Sequence, residues 1–301
     1  MGRLVATTLN DYCLNAITKP TKRLSVLLPT RGRGELSFKS LKTLWENADT
    51  NDGIEYLIAV DDDDLESVEY YDKTIVPYTK EQGIDLRVWS VKRLGYKKLN
   101  EYLNFLGNKS NGHYIMFWND DAIMKTESWD KEIDQYRDKF RVLRMPDQSQ
   151  HPYSLFPIVP RKWMSLLGTI SPQAMSDAWI SQIAYLCNIM VNIPVSVIHD
   201  RFDLTGNNND ETYNNRPQLE GNPENPKDLN SPQTAQSRFE QAIRIMWYLN
   251  KIGDGNDHLQ NSLQHGEDLW KHLKANDPNG HTSRYSVDKE TGKQVKSNED
   301  E

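Results

Sequence analysis

The feature that most limits the fold of this chain is an alternation, repeated four times before residue 141, of short apolar runs with stretches whose apolar residues recur at helical spacing. The run at 24–28 stops at Pro29, Thr30, Arg31, Gly32, Arg33 and Gly34, where proline and glycine end regular structure. Phe38, Leu41, Leu44, Trp45 and Ala48 then share a helical face, and a second apolar run follows at 54–60. That is a β-α-β unit. The second run ends in Asp61, Asp62, Asp63 and Asp64, and 65–81 reads as a helix that Pro77 breaks or kinks. A third strand at 86–91 leads to a helix at 97–106 striped by Leu99, Leu103 and Leu106. A fourth at 112–118 ends in Asn119, Asp120 and Asp121, before a helix from Ser128 carrying Trp129, Ile133, Tyr136 and Phe140. Strands separated by helices predict a mainly parallel central sheet between two helical layers, α/β/α, whose ligands sit beyond the carboxyl ends of the strands.

After residue 140 the pattern loosens into a strand at 141–145, a proline-punctuated stretch at 146–160, a helix at 176–190 and a strand at 193–199. Residues 205–234, rich in asparagine and proline, read as a long loop placed like a lid. Amphipathic helices at 237–250 and 258–273 need a surface to cover and are expected to pack back on the main domain. The expected organisation is an N-terminal extension at 1–22, the α/β domain at 23–204, a polar loop or lid at 205–235, C-terminal helices at 236–276 and a mobile polar tail at 277–301.

With 301 residues, 37% of them hydrophobic and 8 of them tryptophan, the chain can bury a sizeable core. A net charge of −7 weighs against a nucleic-acid coat protein. No apolar run approaches the roughly 18 to 20 residues that span a bilayer, and the first residues lack the apolar stretch of a signal peptide. A cytoplasmic protein is expected, with no membrane contact and no obligate protein partner. Cys13 and Cys187 form neither a metal-ligand spacing nor a disulfide framework, and both read as ordinary buried or half-buried thiols. The glycine-rich signatures of P-loop NTPases, dinucleotide oxidoreductases and serine hydrolases are missing.

The charged strand ends carry the chemistry. A parallel sheet gathers 29–34, 61–64 and 119–121 at one edge, where arginines and loop amides can bind anions and aspartates can ligate Mg2+ or Mn2+. Together they suit a metal-bound diphosphate. The plainer alternative is that the aspartates cap the helices that follow.

Over about 23–200 the sequence resembles the GT-A glycosyltransferases, particularly the family 2 type. Residues 24–33 look like their opening strand and loop, which lie against the nucleotide; this implies Pro29, Thr30, Arg31 and Arg33 at the donor. Val60 through Asp64 matches their second acidic strand end, where an aspartate contacts the base, which implies Asp61 and Asp63. Phe117 through Asp121 falls at their metal-binding acidic motif, with asparagine at 119 in place of the first aspartate. The resemblance is to the variant with two final acids, and implies Asp121 on the metal and Asp120 near ribose or phosphate. Arg93 through Lys98 stands where the family carries a glycine-and-arginine segment, which implies Arg93 and Lys97 at the donor.

Asp177 lies in the first turn of a predicted helix, whose N-terminus would favour its ionised form. By resemblance this is where inverting GT-A enzymes place their catalytic base; the alternative is a capping residue. His199 ends an apolar run, and the resemblance implies a further metal ligand there, with Arg201 beside the diphosphate. His113 reads as a surface or edge residue, His151, His258, His265, His272 and His281 as solvated, and Tyr70, Tyr71, Trp89, Trp118 and Trp163 as core.

The implied function is a Mn2+- or Mg2+-dependent, inverting transfer of a hexose or pentose from a nucleotide-diphosphate donor, UDP-linked by expectation, to a hydroxyl. Small stand-alone enzymes of this appearance are common in bacteriophages, where one implied acceptor is a hydroxymethylated or glycosylated DNA base and the setting is the host cytoplasm. Arg31, Arg33, Lys97, Lys98, Arg161, Lys162 and Arg201 could line a groove for DNA phosphates. The alternatives are a nucleotidyltransferase of related fold and a noncatalytic nucleotide- or carbohydrate-binding protein.

Overall fold

The structure is a computed structural model that describes residues 5–7, 20–147, 153–200, 232–254, 285–287 and 294–296. Eight strands form the main sheet in the order β1-β4-β3-β2-β5-β8-β7-β9. They are β1 (Val5–Thr7), β2 (Lys22–Thr30), β3 (Ile54–Asp61), β4 (Asp85–Val91), β5 (Gly112–Phe117), β7 (Val142–Arg144), β8 (Ile158–Pro160) and β9 (Met190–Asn192). β1, β4, β3, β2 and β5 run parallel, and β8 enters antiparallel beside β5. A two-stranded ribbon, β6 (Ala122–Met124) with β10 (Val197–His199), stands beside the sheet.

Strand side chains alternate faces, and a strand buried on both faces must be apolar throughout. The middle of β3, Tyr56 through Val60, is such a run, and the strand is buried at every position, including its acids Glu55 and Asp61. Leu27, Leu57, Ile115 and Phe117 face a core closed by α4 (Leu99–Lys109), α6 (Lys162–Leu167), α7 (Ser176–Leu186) and α8 (Pro232–Lys251). Val26, Leu28, Ile58 and Met116 face a second core under α1 (Gly34–Asn47), under a helical stretch at 65–81, and under α5 (Trp129–Asp134). These are the three layers of the expected α/β/α fold.

Several local expectations are corrected. The helix over 65–81 is not uniform: α2 (Leu65–Tyr70) passes through a π-helical turn (Tyr71–Ile75) into α3 (Val76–Glu81), so regular α-helix is interrupted just before Pro77. The Val76 amide reaches back to the Tyr71 carbonyl, and Pro77 then falls in the first turn of α3. The run at 193–199 splits because Pro194 cannot donate to a ladder; the Val195 amide instead turns back to Ile193 O at 2.8 Å, and only 197–199 is strand. The helix expected over 176–190 ends at Leu186 because Asn188 adopts φ +52°, and the Ile189 amide closes on Ala184 O at 3.0 Å. The helix from Ser128 stops at Asp134, and Phe140 reaches the core from the irregular segment before β7.

β8, inside the proline-punctuated stretch, and α6, just after it, are not legible in the sequence, since three-residue strands and six-residue helices show too little periodicity. Nor is β1, nor β11 (Tyr285–Val287) pairing with β12 (Gln294–Lys296) in the segment read as a polar tail. Helix α8 opens at Pro232, inside the expected loop, while 205–231, the expected helix at 258–273 and Cys13 lie outside the described residues. Cys187 is buried and unbridged, its thiol pushed up by burial. Among the described residues no helix is long and apolar enough to cross a membrane.

Candidate active site

Parallel pairing puts the ends of β2, β3 and β5 side by side, with Thr30 opposite Val60 and Leu27 opposite Phe117. The Trp118 amide continues the ladder to Leu27 O at 2.9 Å, and the chain then turns through Asn119, Asp120 and Asp121. Ser40 of α1 holds this turn: its hydroxyl donates to Ala122 O at 2.6 Å and accepts from Trp118 Nε1 at 2.8 Å.

Two clusters grow from these ends. In the first, Thr30 Oγ1 donates to Asp120 Oδ2 at 2.7 Å, and Arg33 Nη1 donates to Asp120 Oδ1 at 2.6 Å and to Asp121 Oδ2 at 3.4 Å. His199 Nε2 lies 3.0 Å from Asp121 Oδ1 and 3.2 Å from Asn119 Nδ2. The β6–β10 ribbon makes this meeting: His199 pairs with Ala122, and the Asp200 amide donates to Asp121 O at 2.7 Å. Asp120, Asp121 and His199 are all buried. Burial, with Asp121 adding a like charge, pushes the Asp120 carboxyl up to about 6 despite Arg33. Burial acts on Asp121 in the same direction, but His199 and Arg33 outweigh it and hold that carboxyl below its ordinary range.

In the second cluster Arg31 takes Asp63 in a two-pronged ion pair and reaches Asp61 Oδ2 at 3.3 Å. Arg93 Nη1 approaches Asp63 Oδ2 at 3.4 Å, and the Tyr102 hydroxyl of α4 donates to Asp61 Oδ1. Burial raises the Asp61 carboxyl above its usual range against the opposing pull of Tyr102 and Arg31, whereas hydrogen bonding to Arg31 holds exposed Asp63 below it. Asp64 is the helix cap of the four: its carboxylate accepts from the Ser67 amide at 3.2 Å and from the Gly32 amide at 2.5 Å. Gly32 sits at φ +66°, a conformation that side chains with a Cβ rarely adopt.

Pro29 is half-buried at the end of β2, and Lys97 is exposed on a 3-10 turn, Tyr96–Lys98, that leads into α4. Arg201 lies outside the described residues, as do His151, His258, His265, His272 and His281. Asp177 is half-buried in the first turn of α7. It is not the N-cap, a position held by Met175 with no side-chain hydrogen bond. The loop before it is tied to α4, where Asn104 Nδ2 donates to Ser171 O at 2.8 Å and Asn104 Oδ1 accepts from the Ile170 amide at 2.8 Å. His113 is half-buried on β5. Tyr71, Trp118 and Trp163 are buried core, Trp89 packs edge-on against Phe105, and Tyr70 is half-buried against Phe38. Ser40, Tyr102 and Asn104 are not singled out by the sequence, because a polar residue inside an amphipathic helix looks solvated until its partner is known.

Among the described residues no three His, Cys, Asp or Glu side chains stand together as a metal cluster. The Asp121–His199 pair nevertheless has suitable donors, one carboxylate and one imidazole, and Mg2+-type sites commonly combine one or two carboxylates with substrate phosphates and water.

No protein-family model matches this chain, and no curated protein does. The fold is shared with GalNAc-T7, solved with UDP, GalNAc and Mn2+, at a TM-score of 0.50 and 11% identity, over 85% of this chain and 58% of that one. Mannosyltransferase PcManGT from Pyrobaculum calidifontis, solved with GDP-Man and Mn2+, aligns at 0.48 and 12% identity over 86% of each chain. TarS of S. aureus aligns at 0.45 and 14% identity, over 88% of this chain and 57% of that one. The GalNAc-T7 comparison, with the strand order and the three layers, gives this chain the GT-A fold.

Proposed function

We propose that the chain is a divalent-cation-dependent glycosyltransferase that moves a sugar from a nucleotide-diphosphate donor, UDP-linked, to an acceptor hydroxyl in the cytoplasm. The observation that carries this reading is the meeting of Arg33, Asp120, Asp121 and His199 at the carboxyl ends of a parallel sheet, beside a second cluster on Asp61. The UDP and Mn2+ bound by GalNAc-T7, of the same fold, support it.

In this reading Asp61 accepts a hydrogen bond from the base, with Arg31 and Asp63 framing it. Asp120 faces the ribose and phosphates, with Thr30 on its other oxygen. Arg33, now shared between two carboxylates, turns to the diphosphate, whose oxygens suit a guanidinium fork, and Arg93, Lys97 and Arg201 add positive charge. Asp121 and His199 would hold Mn2+ or Mg2+, which when bound supplies neutralisation of the charge growing on the leaving diphosphate. Asp177 takes the proton from the acceptor hydroxyl as its oxygen bonds to the anomeric carbon and the electron pair of the breaking bond leaves with the diphosphate. Attack opposite the leaving group inverts that carbon.

Calorimetric titration of UDP with and without Mn2+, followed by product analysis with a panel of nucleotide sugars and hydroxyl acceptors including hydroxymethylated duplex DNA, tests the reading. Sugar transfer with release of UDP is expected. Attachment of the nucleotide to the acceptor would make the chain a nucleotidyltransferase, and UDP binding without any turnover would make it a binding protein.

A further inference from the structure

Tyr102 lies on the buried face of α4, 5% exposed, and its hydroxyl is a junction between two parts of the site. It donates to Asp61 Oδ1 and accepts from the backbone amides of Leu94 and Gly95 at 2.6 and 3.3 Å. One donated and two accepted bonds use the whole capacity of a hydroxyl. Successive amides that converge on one oxygen make a concavity of the kind that elsewhere holds anions, and Gly95 enters it at φ +79°, where a side chain would be strained. Nearby, the Arg93 amide donates to Asp62 Oδ1 at 3.3 Å and the Arg93 guanidinium approaches Asp63. The basic 93–98 segment is therefore hitched to the acidic end of β3, with Tyr102 at the hitch.

We propose that Tyr102 is a positioning residue for the nucleotide subsite: its hydroxyl holds the Asp61 carboxylate and the 93–98 segment as one unit, so that Asp61 and Arg93 act on the donor jointly. This rests on the reading of Asp61 as a nucleotide-binding residue. The ring belongs to the buried apolar core on this side of the sheet, so phenylalanine would fill the same space and only the junction would be lost. Without the hydroxyl, Asp61 is left to Arg31 at 3.3 Å, and the Leu94 and Gly95 amides must find another acceptor.

The test is Tyr102→Phe in the full chain, with UDP affinity measured by calorimetry with and without Mn2+. A loss of about tenfold is expected, the size of one hydrogen bond to a charged group, with kcat at saturating donor changed by less than about twofold. The deciding measurement is the cycle with Arg93→Ala, whose effect on UDP affinity should shrink markedly once Tyr102 is phenylalanine. Tyr56→Phe serves as the control for simple loss of a buried hydroxyl, since Tyr56 bonds Asn51 at 2.8 Å near the opposite end of β3; it should leave UDP affinity unchanged. Wild-type affinity in Tyr102→Phe, or strictly additive effects with Arg93→Ala, overturns the inference and leaves the nucleotide reading intact. A wild-type protein that binds no UDP overturns both.

Discussion

Asp120 and Asp121 are adjacent in the chain yet are driven in opposite directions, because burial, with the like charge of Asp121, dominates at Asp120, while His199 and Arg33 outweigh burial at Asp121. Their proposed roles differ accordingly. In Asp121→Ala the Mn2+-dependent part of UDP affinity should disappear, whereas Asp61→Ala should weaken UDP binding equally with and without Mn2+; calorimetry in both buffers separates them. Asp177→Asn should keep donor binding and slow turnover by roughly a hundredfold, the usual worth of a positioned base. Thermal unfolding measured on the same preparation separates loss of the base from loss of stability, and near wild-type turnover would return Asp177 to a structural role. Asp61, Asp120, Asp121 and His199 stand out in the sequence because acids and a histidine at the ends of apolar runs are unusual. Tyr102 and Ser40 do not, since a tyrosine or serine on a helix gains meaning only from what it meets.

Among the elements, long strands and long helices were legible and short ones were not. β3 and α1 carry enough periods for their pattern to show, whereas β8 is three residues long and draws its stability from neighbours on β5 and β7. The turn that follows α8 is joined to the residue just before β7 by Arg141, whose Nη2 donates to Asp254 Oδ1 at 2.6 Å. Hydrogen bonding to Arg141 holds the Asp254 carboxyl below its ordinary range. A carboxyl depressed in the folded state contributes stability above its unfolded pKa of about 4 and loses it as pH falls through the lower folded value. Asp254→Asn should therefore lower Tm slightly at neutral pH, and the difference from wild type should close as pH drops below about 4. A gap that persists in acid would mean that the pair's hydrogen bonds, and not its charge, hold this end of α8.

Across the whole molecule, two cores back one sheet, so a central residue bears on many elements at once. Leu27→Ala, at a fully buried position on β2, should cost about 2–5 kcal/mol, while Leu65→Ala, at a residue 73% exposed, should change stability by less than about 0.5 kcal/mol; denaturant titration measures both. The layered α/β/α architecture was written in the chain because hydrophobic patterning is local: the continuous apolar run of a strand buried on both faces, and a repeat near 3.6 along each helix, are properties of neighbouring residues. The acids at the strand ends were equally local. What brings His199 to Asp121, 78 residues away, is the register of β10 on β6, and what brings Tyr102 to Asp61 is the seat of α4 on the sheet. Such meetings depend on how separately legible elements pack. No stretch of sequence carries that information alone, because pairing register and helix placement are set by the sum of contacts across the core.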